Sequence, residues 1–182
     1  MYEIGSLLIH ENAGICKVKN ISMHRLSREK ESQLYYTLQP LYQQCIIYTP
    51  VNGGKVFLRP IISKEEAERL IDMIPSIQAE PYNTKATSQL SGYYESLLKT
   101  HKCMDLIKLT MSLHAKKQEV EDQNRKFGAI DEKFMKRAEE LLFGELAAAL
   151  GITKDEVPEY IASRVDALVE DEAENDDGED DL

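Results

Sequence analysis

The chain has 182 residues, of which 42% are hydrophobic and 30% are charged, as is usual for a folded globular protein. No apolar run approaches the roughly 20 residues of a membrane-spanning helix, and the first residues lack the pattern of a signal peptide. The formal net charge is -10, and residues 170–182 supply nine acids and no base. Cys16, Cys45 and Cys103 form no CxxC pair, so we expect free thiols in the cytoplasm, not disulfides or a zinc site.

The first sixty residues predict β-structure. Alternating apolar and polar residues indicate five short strands, at about residues 4–9, 15–21, 34–38, 45–48 and 55–59. Turn signals separate them: Gly5-Ser6, Asn12-Ala13-Gly14, Gln39-Pro40 and Asn52-Gly53-Gly54. Five short strands at this spacing favour a small, strongly bent antiparallel barrel. Such a sheet has edge strands whose unpaired backbone groups need protection or serve as docking edges.

After residue 62 the apolar spacing becomes helical. Ser63 and Glu66 form a predicted capping box at the start of a helix over residues 64–74. Residues 76–87 have few apolar side chains and contain Pro81, which predicts a linker.

Four more helices are predicted beyond the linker. One lies around residues 93–98, one around 104–114, one over 129–150 and one over 154–169. His114 falls on the apolar stripe of the second of these, which favours a packed core position. Four helices with short connections predict a compact bundle. The acidic segment from Glu170 has no apolar periodicity, so we expect it to be disordered.

Catalytic motifs are absent from the sequence. It contains no glycine-rich phosphate loop, no HExxH and no GxSxG motif. The four histidines, His10, His24, His101 and His114, do not pair at metal-ligand spacing. We therefore expect a protein that is not an enzyme and that holds no metal or other cofactor.

Several segments of the front half resemble the RNA-polymerase-interacting domain of the CarD/CdnL family. That domain has a glycine turn near its start, a Tyr-Tyr-x-Leu strand, a Val-Pro-Val strand end and an Arg-x-x-x-Ser-x-Glu-Glu helix entry. The matching segments here are residues 2–5, 15–21, 35–38, 47–51 and 58–66. The transcription-repair coupling factor shares this front domain but not the helical partner.

The helical half is similar to the family's helical domain in the order and spacing of its motifs. These are Leu97-Leu98, Asp105-Leu106-Ile107-Lys108, Asp131-Glu132-Lys133, Ala138-Glu139-Glu140-Leu141-Leu142 and Gly144-Glu145-Leu146-Ala147. With the front half, the resemblance covers roughly residues 1–166.

The resemblance implies an α+β protein. A small Tudor-like five-stranded antiparallel β-barrel comes first, followed by a compact all-α helical domain and a disordered acidic tail. The expected bounds are 1–74 for the barrel with a closing helix, 75–87 for a linker, 88–169 for the helical domain and 170–182 for the tail. The implied protein is a bacterial transcription regulator, monomeric when free and bound to the nucleoid through RNA polymerase.

The resemblance also implies the first partner, the β subunit of RNA polymerase. In this family the barrel docks on that subunit by adding an edge strand. The aligned positions of this chain are Arg25, Tyr48, His24 and Ile47.

Promoter DNA is the second implied partner. The family's helical domain contacts DNA at the upstream edge of the transcription bubble and stabilises the open complex. Tethering through polymerase raises the local concentration of the helical domain, so weak DNA contacts suffice. The candidates are lysines of a mildly basic middle region: Lys85, Lys99, Lys102, Lys108, Lys116 and Lys117.

This chain departs from the family in two places. It contains no tryptophan, whereas known members carry one at the start of the helical domain that wedges against the split base pair. The equivalent region is residues 83–90, followed by Tyr93 and Tyr94, which either stack on a base or pack the helix. The family's opening Gly-Asp is Gly5-Ser6 here. The alternative hypothesis is therefore an adaptor that binds other proteins through the barrel edge and the helical domain and does not contact DNA.

Overall fold

The computed structural model describes residues 1–25, 31–52 and 54–176, with side chains up to residue 170. The chain divides into two compact units, Met1–Ile61 and Ile62–Leu182. The first unit holds the strands and the second holds the helices, so the predicted α+β class is confirmed.

The front unit is a five-stranded antiparallel sheet with the strand order β4-β3-β2-β1-β5. The five predicted strands are present, with shifted ends: β1 Leu7–His10, β2 Gly14–His24, β3 Gln33–Pro40, β4 Ile47–Pro50 and β5 Leu58–Pro60. The β2–β3 register shifts between Val18 and Asn20, which indicates a bulge in the longest strand. A bulge of this kind bends a strand and increases its twist. Alternate residues of β1 to β3, among them Leu8, Val18 and Leu38, form the buried core of this sheet.

The helical unit contains five α-helices: α1 Lys64–Asp72, α2 Thr87–Leu98, α3 Cys103–Asp122, α4 Ala129–Leu150 and α5 Val157–Asp176. The predicted N-cap at Ser63 is present, and a capping box precedes α5. The Ser63 hydroxyl accepts a hydrogen bond from the Glu66 backbone N–H at 3.1 Å, and Thr153 and Glu156 bond reciprocally before α5. Gly151 ends α4 in the left-handed conformation, with φ 72°.

Two apolar clusters hold the helices together. One joins α1, α3, α4 and α5, and includes Ile71, Ile107 and Leu146. The other joins α2, α3 and α4 through residues such as Tyr94 and Leu113.

His114 does not belong to either cluster, although its position on the apolar stripe predicted a core residue. It is exposed, and its Nε2 lies 2.7 Å from Oε1 of Glu139 on α4. The prediction was wrong because the stripe of α3 is centred on Leu106, Leu109 and Leu113, which leaves His114 at its margin.

The boundary between the units lies before α1, whereas the prediction placed α1 with the barrel and ended that domain at residue 74. The apolar face of α1 is buried against α4, with Leu70 and Leu146 in one cluster. Arg164 of α5 also donates two hydrogen bonds to Asp72 of α1, one from Nε to Oδ1 at 2.5 Å and a second of 2.9 Å. Helix α1 therefore forms part of the helical unit.

The predicted linker, residues 75–87, packs on the helices of the second unit. The Ser112 hydroxyl of α3 donates to the carbonyl of Glu80 at 2.7 Å. The rings of Tyr82 and Tyr93 stack with their centroids 4.0 Å apart. This segment is thus a fixed connection inside the helical unit.

Helix α5 continues to Asp176, seven residues past the predicted end at residue 169. Glu is a strong helix former and occurs three times in residues 170–176, which explains a helix where like charges predicted disorder. The remainder of the predicted disordered tail, residues 177–182, lies outside the described residues. None of the described helices is both long enough and apolar enough to cross a bilayer.

Candidate interaction surfaces

Strand β4 forms one edge of the sheet and pairs with β3 alone among the described strands. Tyr48 lies opposite Thr37, and the N–H of Val51 donates to the carbonyl of Leu34 at 2.9 Å. In an antiparallel ladder, hydrogen-bonded pairs alternate with pairs whose backbone groups point outward. The pairing of Val51 therefore implies that the N–H and C=O of Tyr48 point away from β3, toward the open edge. Pro50 lacks a backbone N–H, so it provides no hydrogen-bond donor at this edge.

Aromatic side chains gather beside this edge. The rings of His24 and Tyr48 lie 5.0 Å apart, and His24 meets Tyr35 edge-on at 6.2 Å. The hydroxyl of Ser22 lies 2.9 Å from Nε2 of His24. The cluster packs against one side of Tyr48. Tyr48 is nevertheless 46% exposed, so a partner can reach its ring. The structure thus brings together two of the four residues predicted to bind polymerase.

The other two predicted residues occupy different environments. Arg25 is exposed and directly follows β2. Ile47 packs its side chain against the core of the sheet, because it faces the same side as its partner Leu38. Ile47 is therefore partly buried and has a structural role in the sheet, and its contact with a partner stays a prediction.

An apolar surface precedes β4 that the sequence analysis missed. Leu41, Tyr42 and Ile46 are 42%, 49% and 50% exposed. They lie in the bend between β3 and β4, where no alternation distinguishes an exposed apolar residue from a buried one. Together with Tyr48 they are exposed apolar side chains in or just before β4 in the sequence.

The six lysines predicted to contact DNA do not form one surface. Lys85 precedes α2, whereas Lys99 lies at its C-terminal end and Lys102 follows in the turn to α3. Twelve helical residues separate the two positions by about 18 Å. Lys108 and Lys117 are nine residues apart on α3, which puts them on opposite sides of that helix.

Lys116 is buried in the helical unit and is removed from the set of DNA candidates. Three acceptors surround its ammonium group: Asp131 Oδ1 at 2.8 Å, the carbonyl of Tyr82 at 3.1 Å and the hydroxyl of Tyr94 at 3.4 Å. These contacts engage all the protons that an ammonium group can donate. Lys116 therefore has a structural role that its position on a helix with other lysines did not reveal.

Tyr94 belongs to the same buried network. Its hydroxyl donates to Asp131 Oδ1 at 2.6 Å. Burial, together with the adjacent carboxylate, raises the pKa of Tyr94 far above its ordinary value, so the hydroxyl remains a donor. Tyr94 is fully buried and cannot stack on a base, whereas Tyr93 is 38% exposed and stacks on Tyr82. Of the two tyrosines considered for base stacking, Tyr93 alone is accessible.

A cavity of about 580 Å³ opens between residues 83–85 and the turn that joins α3 to α4. Three exposed cations line it, Lys85, Arg125 and Lys126. Arg125 and Lys126 were not among the predicted residues, although two adjacent basic residues just before the helix predicted over 129–150 were a usable signal. Within the described parts of the chain, no three His, Cys, Asp or Glu side chains are close enough to hold a metal ion.

Comparison with known families finds a similarity for the front unit. Residues 2–62 match the family model described as the CarD-like/TRCF RID domain, which covers all five strands and ends at the boundary between the two units. A search of curated proteins finds no match for the chain. The family is a Tudor-like protein-interaction domain that binds RNA polymerase, so the match supports a role in transcription. The front unit of this chain is therefore similar to the CarD-like/TRCF RID domain, over the 61 of 182 residues that match.

Proposed function

We propose that this protein is a bacterial transcription regulator that binds the β subunit of RNA polymerase through the open edge of β4. We further propose that its helical unit contacts promoter DNA and modulates the stability of the open complex. One observation carries the first part: the residues that match the RID family form a sheet whose β4 edge is open.

The open edge suits the addition of one strand from a partner. A docking strand would pair with the outward N–H and C=O of Tyr48, which supplies register and direction. The apolar side chains of Leu41, Tyr42 and Ile46 would then supply contact area, and the Arg25 guanidinium a charged contact. Ile46 directly precedes β4, so its side-chain contact would adjoin the backbone pairing.

Two substitutions at one position test this arrangement. Tyr48→Ala removes the ring and keeps the N–H, whereas Tyr48→Pro removes both. Since this N–H points away from β3, proline should leave the β3–β4 ladder intact. We expect both variants to bind the purified β-subunit lobe less tightly than the unmodified chain, and Tyr48→Pro to bind at least tenfold less tightly than Tyr48→Ala. Titration calorimetry of the full chain measures this.

A charge reversal provides the matched control. Arg25→Glu should weaken binding, and Lys17→Glu, which makes the same change on the exposed side of β2, should not. Equal affinity of Tyr48→Ala and Tyr48→Pro, with both variants folded, would contradict strand addition at β4. Unchanged binding in all four variants would place the polymerase contact elsewhere on the protein.

Support for the DNA contact comes from Lys99 and Lys102, which are both exposed at the turn between α2 and α3. Tyr93, the accessible aromatic residue of α2, lies on the helix that ends at Lys99. Lys99→Glu combined with Lys102→Glu should lower retention of promoter DNA by the polymerase complex and reduce the dependence of that retention on salt.

The adaptor hypothesis has a specific observation in its favour. Both Lys116 and Tyr94 are buried, which removes two of the residues considered for DNA contact in a chain that has no tryptophan. If the helical unit binds a protein, the polymerase complex should retain promoter DNA equally well with and without this chain at every salt concentration.

A further inference from the structure

We propose that the cavity between residues 83–85 and the α3–α4 turn binds a small phosphorylated ligand of about the size of a nucleotide. This proposal does not depend on polymerase or DNA binding. It concerns a cavity within the helical unit, outside the residues that match the RID family.

The charge of the lining favours an anion. Lys85, Arg125 and Lys126 contribute three positive charges, and Glu119 opposes them with one negative charge. The remaining charged groups of the lining, Lys116 and Asp131, form a buried ion pair and cancel each other. The lining of the cavity therefore has a net positive charge, and the neutral Lys116–Asp131 pair forms another part of it.

Two other cavities of the described structure lack this property. One in the front unit, of about 300 Å³, has no charged side chain in its lining. Another, beside α5, has a single cation, Arg164, which Asp72 already binds and which shares the lining with Glu156 and Glu159. The cavity at the α3–α4 turn thus differs from both in the balance of its charges.

The backbone that carries the cations is fixed. Helix α3 ends in a Schellman motif, in which Asn124 is left-handed at φ 53°. The N–H of Arg125 donates to the carbonyl of Val120 at 2.7 Å, and that of Asn124 to Glu121 at 2.9 Å. Arg125 and Lys126 therefore leave the helix in a defined direction.

The opposite wall is fixed as well. The hydroxyl of Thr84 accepts a hydrogen bond from the N–H of Ala86 at 3.2 Å, which forms a tight turn around Lys85. Tyr82, three residues before Lys85, is held by the Lys116 ammonium and by its stack on Tyr93. Because the backbone on both sides is fixed, binding an anion requires ordering of the side chains alone, which lowers the entropic cost.

Helix α4 begins at the cavity. Its N-cap is Gly128, which lines the cavity and, in the described structure, has no side-chain cap. The N-terminal end of this 22-residue helix therefore lies at the cavity, where its partial positive charge adds to that of the three cations. Two carboxylates of its first turn oppose this contribution, Asp131, which Lys116 pairs, and Glu132.

The shape and mixed lining favour a small ligand. Cavities of roughly 300–1,000 Å³ are typical of small-molecule sites. Leu90 and Val120 provide apolar surface for a ring, and the side chains of Asn83 and Thr84 provide polar groups. A duplex backbone, in contrast, binds cations that stand on an open surface, as Lys99 and Lys102 do.

The test uses the full-length chain, with AMP and inorganic phosphate as separate probes. Titration followed by amide chemical shifts should give saturable changes for residues 83–90 and 119–131, with AMP the tighter of the two probes. Lys85→Glu combined with Lys126→Glu should weaken AMP binding at least tenfold, because two charge-assisted contacts are replaced by repulsion.

The matched control reverses two other exposed lysines of the same unit. Lys64→Glu combined with Lys136→Glu makes the same change in net charge away from the cavity and should leave AMP binding unchanged. Equal weakening by the two double variants would overturn the proposal, since it would show general electrostatic attraction. Two further outcomes would overturn it: no saturable change with either probe, and changes in the cavity with a short DNA duplex but with neither AMP nor phosphate.

Discussion

The ammonium of Lys116 lies 2.8 Å from Oδ1 of Asp131, with the two side chains only 9% and 7% exposed. They come from different helices, α3 and α4, and share the hydroxyl of Tyr94. This pair joins the two helices inside the second unit, behind the cavity that we assign to a phosphorylated ligand.

Removing one member of this pair should destabilise the protein strongly. Lys116→Met leaves a buried carboxylate without its counter-charge, and such changes cost about 3–5 kcal/mol. Lys117→Met, at the neighbouring and more exposed position, should alter the free energy of unfolding by less than about 0.5 kcal/mol. Urea unfolding of both variants measures the difference, and similar values would show that Lys116 is not held as described.

Two glycines of the helical unit should respond to alanine with opposite signs. Gly92 lies inside α2, and a Cβ there meets nothing within 4 Å, so Gly92→Ala should stabilise by about 0.5–1 kcal/mol. Gly151 has φ +72°, where an L-residue is strained, so Gly151→Ala should destabilise by about 1 kcal/mol. Thermal unfolding gives the sign of each change. A stabilising Gly151→Ala would contradict the left-handed end of α4.

The buried hydroxyl of Thr110 should lower the stability of the protein. Its side-chain oxygen is buried and has no hydrogen-bond partner within the described structure. Thr110→Val replaces the hydroxyl with a methyl group of similar size, so it should stabilise the protein by about 1 kcal/mol. Thr110→Ser keeps the hydroxyl and removes the methyl, so it should destabilise. If chemical denaturation shows that valine destabilises as well, the hydroxyl must have a partner in solution.

The ion pair between α1 and α5 predicts a loss of stability in acid. The hydrogen bond from Arg164 holds the pKa of Asp72 below its ordinary value of 3.8. Because the folded state binds this proton less readily than the unfolded state, the pair stabilises the protein above pH 3.8. That contribution is lost as the pH falls below 3.8 and through the lowered pKa of the folded state.

Asp72→Asn should therefore flatten the dependence of stability on pH in this acidic range. Both partners are about one third exposed, so the effect at neutral pH should not exceed about 1 kcal/mol. Asp166→Asn, a change at an exposed position of α5, serves as the control. Denaturation midpoints measured between pH 2.5 and 7 give the dependence of stability on pH for each variant. The same dependence in both variants would contradict the role of the Asp72 ion pair.

Patterns that depend on neighbours in the sequence predicted much of the fold. The N-cap at Ser63 bonds a backbone N–H of its own turn, and the end of α4 needs only the glycine at 151, so both could be predicted from local residues. The five strands were likewise found from alternation. Their pairing order and the direction of the Tyr48 N–H depend on the β3–β4 register, which no local pattern contains.

Long-range partners explain what the sequence did not reveal. Lys116 and Lys117 are adjacent and chemically identical, and only the position of Asp131 on another helix decides which is buried. From the sequence, the apolar face of helix α1 could have packed on the sheet. In the structure this face is buried against other helices, at Leu146 among other residues. Arg125 and Lys126 become neighbours of Lys85 only through the packing of α2, α3 and α4.

Strand β4 is only four residues long and ends at Pro50. Long, flat edges recruit further strands and can template the stacking of many copies of a chain. An edge this short, stopped by a residue without an N–H, offers too few backbone bonds to hold such a stack together. The edge that is open to one strand of a partner is therefore protected against aggregation of the protein with itself.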